Sequence, residues 1–238
     1  RPMYFDYRGL AGNNWTGGHD VLGANSPGRE WYFAEGTTRR NPVDGAFEQW
    51  LCLQNPGAVP LVVTATYQTA VGQGGPVSRK YTVPARERVT ISVNREVGPD
   101  RDCSVHLESP QGFIAERPVY FDYHNAWTGG HSVPGISSAA TAWFLAEGTT
   151  RVDFEEWLCL QNHGDTEARV TVSYLTAGAR VIARQKTVSA NSRLTVSVNS
   201  DVGEGQDTSA PVSSDRPIVV ERSMYFDYNG WTGGHGAA

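Results

Sequence analysis

The sequence predicts an all-β fold, on three observations: long internal repetition, a period of two within the repeated blocks, and closely spaced turn signals. Trp31–Arg39 recurs as Trp143–Arg151, Phe47–Asn55 as Phe154–Asn162, and Arg88–Asn94 as Arg193–Asn199. A further block containing Tyr-Phe-Asp-Tyr begins at Arg1, Arg117 and Arg222. Each copy is followed by Trp-Thr-Gly-Gly-His, ending at His19, His131 and His235. Spacing this wide is that of a whole domain, because solenoid units run to about 20–50 residues.

Seven strands are expected in the first repeat. The first two, 30–35 and 47–54, are the repeated Trp-rich blocks. The third, 60–69, sets Leu61, Val63, Ala65 and Tyr67 on one face, matched by Ala168, Val170, Val172 and Tyr174. A Gly-rich turn from Gly72 to Pro76 leads into 77–83. Strand 88–94 alternates Val89, Ile91 and Val93 with Thr90, Ser92 and Asn94. After the turn Val97-Gly98-Pro99-Asp100 come 103–109 and 113–123; in the latter, Phe121 and Tyr123 face the core and Tyr120 and Asp122 face outward. No window of 11 residues shows a 3.6-residue period, so no helix is expected.

Seven short strands in about 100 residues is the pattern of an immunoglobulin-like sandwich. A barrel or a fibronectin-like variant stays open, since strand order is not readable from one sequence. The expected organisation is a closing strand and linker of a preceding repeat at 1–28, one sandwich at 29–141 and a second at 142–238. The pairs Val63/Val170, Tyr67/Tyr174, Ile91/Val196 and Val93/Val198 are expected in the two cores. Length differences, such as Arg40–Ala46 against Val152-Asp153, fall where surface loops belong.

These repeated blocks resemble those of tandem repeats in exported surface proteins of actinobacteria and related Gram-positive and filamentous phyla. The resemblance covers nearly the whole chain. It implies an extracellular, cell-wall or appendage location and hands over no catalytic residue.

Composition narrows function by exclusion. A net charge of −5 argues against a nucleic-acid partner, which calls for a basic patch. No run of 18 apolar residues offers a membrane-spanning helix, and no N-terminal stretch reads as a signal peptide. Lys80 and Lys186 are the only lysines among 20 basic residues, a bias that a GC-rich genome explains as readily as function. No Gly-x-Ser-x-Gly elbow, phosphate-binding loop or Cys-x-x-Cys is present, so no catalytic residue, cofactor or metal is expected.

Four constellations remain. Glu35/Glu147 and Glu116/Glu221 recur on strands; a carboxylate pair suits glycosidase chemistry, but pairing with Arg39, Arg117, Arg151 or Arg222 at a sandwich rim is the expectation. His19, His131 and His235 each close a Trp-Thr-Gly-Gly-His segment, read as a Gly-Gly turn with the Trp packed over a joint between units. The aromatics Tyr4, Phe5, Tyr7, Trp15, Tyr120, Phe121, Tyr123, Trp127, Tyr225, Phe226, Tyr228 and Trp231, with those three histidines, are expected at assembly or interdomain contacts. A carbohydrate platform is the other reading of the same rings. Cys52 and Cys103 lie on the second and sixth strands, where antibody domains carry their bridge; the second repeat has Cys159 but Thr208, so a bridge is optional, and two buried free thiols packing as small hydrophobes are the other reading.

The functional expectation is a non-enzymatic structural repeat of a bacterial extracellular filament, stalk or surface layer, with copies of itself as partners. The alternative is a lectin-like adhesion module for cell-wall or host glycans. Residues 1–19 are expected as the last strand and closing turn of a preceding unit, able to exchange between chains.

Overall fold

The computed structural model describes residues 1–9, 12 and 14–238. The chain is all-β, with curled sheets that fit a β-sandwich. It opens with a hairpin of β1 (Pro2–Arg8) and β2 (Asn14–Asp20). The first repeat then runs β3 (Gly28–Phe33), β4 (Arg40–Asn41), β5 (Gly45–Gln54), β6 (Leu61–Thr69), β7 (Val77–Val83), β8 (Arg88–Ser92), α1 (Val93–Val97), β9 (Cys103–Tyr123) and β10 (Trp127–Pro134). The second repeats that order without the β4 element: β11 (Ala140–Leu145), β12 (Phe154–Asn162), β13 (Ala168–Thr176), β14 (Arg180–Val188), β15 (Ser192–Ser197), α2 (Val198–Val202), β16 (Thr208–Tyr228) and β17 (Trp231–Ala237).

One long strand organises each repeat. The first half of β9 pairs with β3 and β6, and its second half with β5 and β10. β7 extends one layer beside β6, and β8 extends the other beside β5. β16 does the same with β11 and β13, then β12 and β17. The expected break between 109 and 113 is a bulge and not a turn: Gly28 pairs with Phe113 and Glu30 with Glu108, so residues 109–112 leave the ladder while the strand continues.

The apolar faces meet between the layers. Val63, Val170, Tyr67, Tyr174, Ile91, Val196, Val93 and Val198 are all buried in two separate cores, as the alternation requires. Val93 and Val198 lie on one-turn helices that the sequence pattern did not announce; five residues are too few to show a helical period.

Repeated polar residues hold the turns. Asn55 Nδ2 donates to the carbonyls of Val59, Val83 and Pro84, and Asn162 makes the same set to Thr166, Val188 and Ser189. Asn94 and Asn199 clasp the start of β5 and β12 through the Phe47 and Phe154 carbonyls. Thr38 and Thr150 donate to the Gly98 and Gly203 carbonyls that follow the helices. Buried backbone carbonyls left without donors would be costly, so these residue types recur where the chain turns.

One open alternative is decided here and one expectation is corrected. Of the bridge and the free thiols, the structure has the thiols: Cys52, Cys103 and Cys159 are all free. Leu51 and Leu53 point into the core, so Cys52 between them points to the opposite face, while Cys103 lies in the core. The Trp-Thr-Gly-Gly-His segments are strands and not turns, each paired antiparallel with its Tyr-Phe-Asp-Tyr strand.

Candidate functional site

The functional candidates converge on the joint between the repeats and on a spine of stacked hairpins beside it. In the spine, β10 lies against both β2 and β17. The Gly-Gly pair makes that approach possible. A Cβ on Gly129 would lie 3.1 Å from Gly233 Cα and 2.7 Å from Phe121 Cζ. Each Phe therefore covers the glycine of its own hairpin, and Phe5 and Phe121 also cover one glycine of the next: Phe5 reaches Gly130 and Phe121 reaches Gly234.

The joint centres on Arg117, a fully buried guanidinium. It ion-pairs with Glu35 at 2.5 Å and with Glu221 of the second repeat at 2.7 Å. Glu221 also accepts the Glu35 backbone N–H, Tyr225 donates to Glu35 Oε1 at 3.1 Å, and His131 Nε2 stands 3.2 Å from the same oxygen. The expected carboxylate–arginine pairing is thus present, but it is buried at the joint and not at a sandwich rim. Burial alone would raise the Glu35 carboxyl; the charges of His131 and Arg117 outweigh it and hold that carboxyl well below the usual range. At Glu221 burial wins over Arg117 and the carboxyl is raised, in keeping with an Oε1 that has no partner.

Around this centre the two repeats interlock through groups that alternation alone does not reveal. Gln161 donates to Gln68 Oε1 at 2.8 Å, and Gln68 donates to the Asn162 carbonyl at 3.0 Å. Arg193 Nε donates to Ser104 Oγ, and Ser192 Oγ donates to the Thr69 carbonyl. Tyr32 stacks on His106 at 4.4 Å and leans on His163 at 4.9 Å. Cys159 packs with Tyr32, Ala34 and Val219 in the same seam. Repetition gave a partial signal: Gln161, Cys159, Arg193 and Ser104 have like counterparts in Gln54, Cys52, Arg88 and Ser209, whereas Gln68, Tyr32, His106 and His163 have none.

The expected assembly residues divide. Phe121, Tyr123, His131 and Tyr225 are buried in the joint, with Tyr123 stacked on Tyr225 at 4.3 Å and Phe121 edge-on to Tyr225 at 4.9 Å. Phe5, Tyr7 and His19 pack against Tyr120, which is half-buried and not outward-facing. Asp122 is buried as well, on a strand paired on both sides, with β5 and β10. Trp127 is half-buried beside Tyr123. Trp15 is buried beneath Gly9 of its own hairpin. Tyr4 is exposed on the outer side of its hairpin, over Gly18. On the last hairpin Phe226 and His235 are half-buried, and Tyr228 and Trp231 are exposed.

A cleft of about 400 Å³ opens where the repeats meet, lined among others by Phe47, Asp102, Tyr123, Trp157, Arg193 and Tyr225.

No family model and no curated protein matches the chain. Among solved structures, Thermotoga maritima 1070 is 16% identical, with a TM-score of 0.40 over 48% of this chain and 96% of its own. The Anabaena sensory rhodopsin transducer is 26% identical, with a TM-score of 0.33 over 35% of this chain and 95% of its own. The major pilin of Streptococcus pyogenes (N168A mutant) is 9% identical, with a TM-score of 0.22 over 76% and 82%. Likenesses this low carry no functional argument.

Proposed function

We propose that this chain is a non-enzymatic structural repeat protein of a bacterial extracellular filament, stalk or surface layer, built from two tandem immunoglobulin-like sandwiches that stack head to tail. One observation carries the reading: the same docking contact occurs twice. Arg117 pairs with Glu221, Phe121 meets Tyr225 edge-on, and Tyr123 donates to Glu155. One repeat earlier, Arg1 pairs with Glu116, Phe5 meets Tyr120 edge-on at 5.0 Å, and Tyr7 donates to Glu48. A contact that recurs with each repeat, in the same direction, is heterologous and propagates along an axis. The repeated Asn55/Asn162, Asn94/Asn199 and Thr38/Thr150 hold turns, and the recurring glutamates Glu35, Glu116, Glu147 and Glu221 are held by arginines.

The test is concentration-dependent light scattering and negative-stain electron microscopy of the purified chain. Linear multimers are expected; a monomer at every concentration would reject the reading.

A glycan-binding module is the second reading, supported by the cleft at the joint with its rings and carboxylate. Trp157 lines it, so titration with cell-wall glycans while following Trp fluorescence separates the two: a saturable quench, lost in Trp157→Phe, favours binding.

A further inference from the structure

The face that the first repeat offers to the second has a counterpart on the second repeat, and there it is bare. Tyr32 is 4% exposed beneath the second repeat, whereas its counterpart Phe144 is 79% exposed. Ala34 is buried against Cys159, and its counterpart Ala146 is exposed. The Glu35 side chain is 6% exposed and that of Glu147 is 64%. Arg222 reaches Glu147 as Arg117 reaches Glu35, but only Arg117 has a second carboxylate, that of Glu221, at its other Nη. On the opposite side of the first repeat, the counterparts of the docking residues are open too. Cys52 stands for Cys159, and Gln54 and Arg88, for Gln161 and Arg193, are exposed. Only the part around Glu116 and Tyr120 is covered, by the β1–β2 hairpin.

We infer that a second copy of this chain docks its Phe144–Glu147–Arg222 face onto the Cys52–Arg88–Glu116 face of the first, repeating the internal joint between molecules. The inference rests on the head-to-tail reading and names the surfaces that carry it. In this contact Arg222 of one copy takes Glu116 of the other, as Arg117 takes Glu221. Phe144 then lies between Pro211 and the other copy's Pro56, where the internal joint has Tyr32 between His106 and His163. Three polar rings are replaced together by three apolar groups, so these three positions stay matched to one another. Gln68 is replaced by Leu175, so the glutamine hydrogen bond is not repeated and the Gln54 amide of the other copy lies at the edge of Leu175. The β16–β17 hairpin must occupy the place that β1–β2 holds, so docking displaces β1–β2 and leaves it free to move.

Cys52 supplies the test. In the internal joint Ala34 packs with Cys159, so between copies Ala146 should meet Cys52. The full-length chain carrying Ala146→Cys and Cys52→Ser is mixed with the chain carrying its natural Cys52 and Ala146, then oxidised mildly. The expected product is a disulfide-linked heterodimer whose bridge maps by peptide mass to positions 52 and 146. It should vanish on reduction and fall at least tenfold when Phe144→Glu is added to the Ala146→Cys chain. Its yield should rise when the Cys52 chain carries Phe5→Ala, which weakens the hold of β1–β2. Absence of the 52–146 bridge overturns the inference, as does a yield indifferent to Phe144→Glu. An unchanged or lower yield with Phe5→Ala overturns the displacement step. If multimers still form in light scattering without the bridge, the structural reading stands and another surface carries it. If neither multimers nor bridge form, both fall.

Discussion

Glu156 occupies the place that Gln49 holds in the first repeat, and the exchange of one atom type sets up a titration. Each side chain lies close over the glycine of the Glu-Gly-Thr block, and a Cβ on Gly148 would fall 2.6 Å from Glu156 Oε1. Burial pushes the Glu156 carboxyl up to about 7, with Arg222 and Thr208 offsetting part of the rise. A carboxyl raised in the fold holds its proton more tightly there than in the unfolded chain. Its contribution is therefore fully present at low pH and is lost as pH rises from about 4.5 through 7. Glu156→Gln should leave stability nearly unchanged at pH 4.5 and raise it by up to about 3 kcal/mol at pH 8, read from urea unfolding at both values. At this scale much was legible. Alternation placed Val63, Tyr67 and Ile91 in the core because a period of two admits only two faces. The same rule, applied to Leu51 and Leu53, decides against the Cys52–Cys103 bridge that the analogy with antibody domains left open. The role of Arg117 was not legible in full, because its second carboxylate lies 104 residues away and no local pattern records that distance.

Among the elements, the paired hairpins show how composition misleads when a side chain's absence is the function. Gly-Gly is read as a turn because glycine frees the backbone; here it flattens a strand so that another hairpin can lie on it. The neighbouring rings were visible in the sequence, but their seat on the glycines needed the third dimension. Gly234→Ala tests this. The added methyl would stand 2.8 Å from both the Met224 carbonyl oxygen and Phe121 Cζ, and the backbone oxygen has little freedom to move. A loss of about 1–3 kcal/mol is expected in chemical denaturation. Gly75→Ala, which meets nothing within 4 Å, should stay within about 0.5 kcal/mol of the parent. Equal losses at both positions would show that the glycine spine is not a packing contact. The long strands teach a related lesson. Ser109-Pro110-Gln111-Gly112 carries every mark of a turn, yet the strand runs through it as a bulge, because the neighbouring strand β3 tolerates a register shift there.

Across the whole molecule, two apolar cores that share no side chain are joined by a seam in which ionic groups predominate at the centre. A buried ion pair contributes little net stability over an apolar contact, but removing one partner strands the others and costs about 3–5 kcal/mol. Arg117→Ala would strand two carboxylates, Glu35 and Glu221, with only His131 near enough to Glu35 to offset charge. The cores themselves should keep their packing, since the Arg117 guanidinium lies in the seam, over the Phe33 ring at the edge of the first core. The expected outcome is loss of coupling: one cooperative melt in the parent becomes two transitions in the variant. The effect should depend on pH with a definite sign. In the parent, Arg117 and His131 depress the Glu35 carboxyl, so its stabilisation is present above about 4.5 and is lost only as pH falls toward its depressed pKa. Without Arg117, like charge and burial both favour protonation, so each carboxyl can neutralise itself by taking up a proton as the solution is acidified. The two transitions should therefore lie far apart at pH 8 and draw together near pH 4, followed by calorimetry. Separation that is independent of pH would mean that packing at Tyr32, Cys159 and Val219, and not the buried ionic centre, decides whether the repeats move as one.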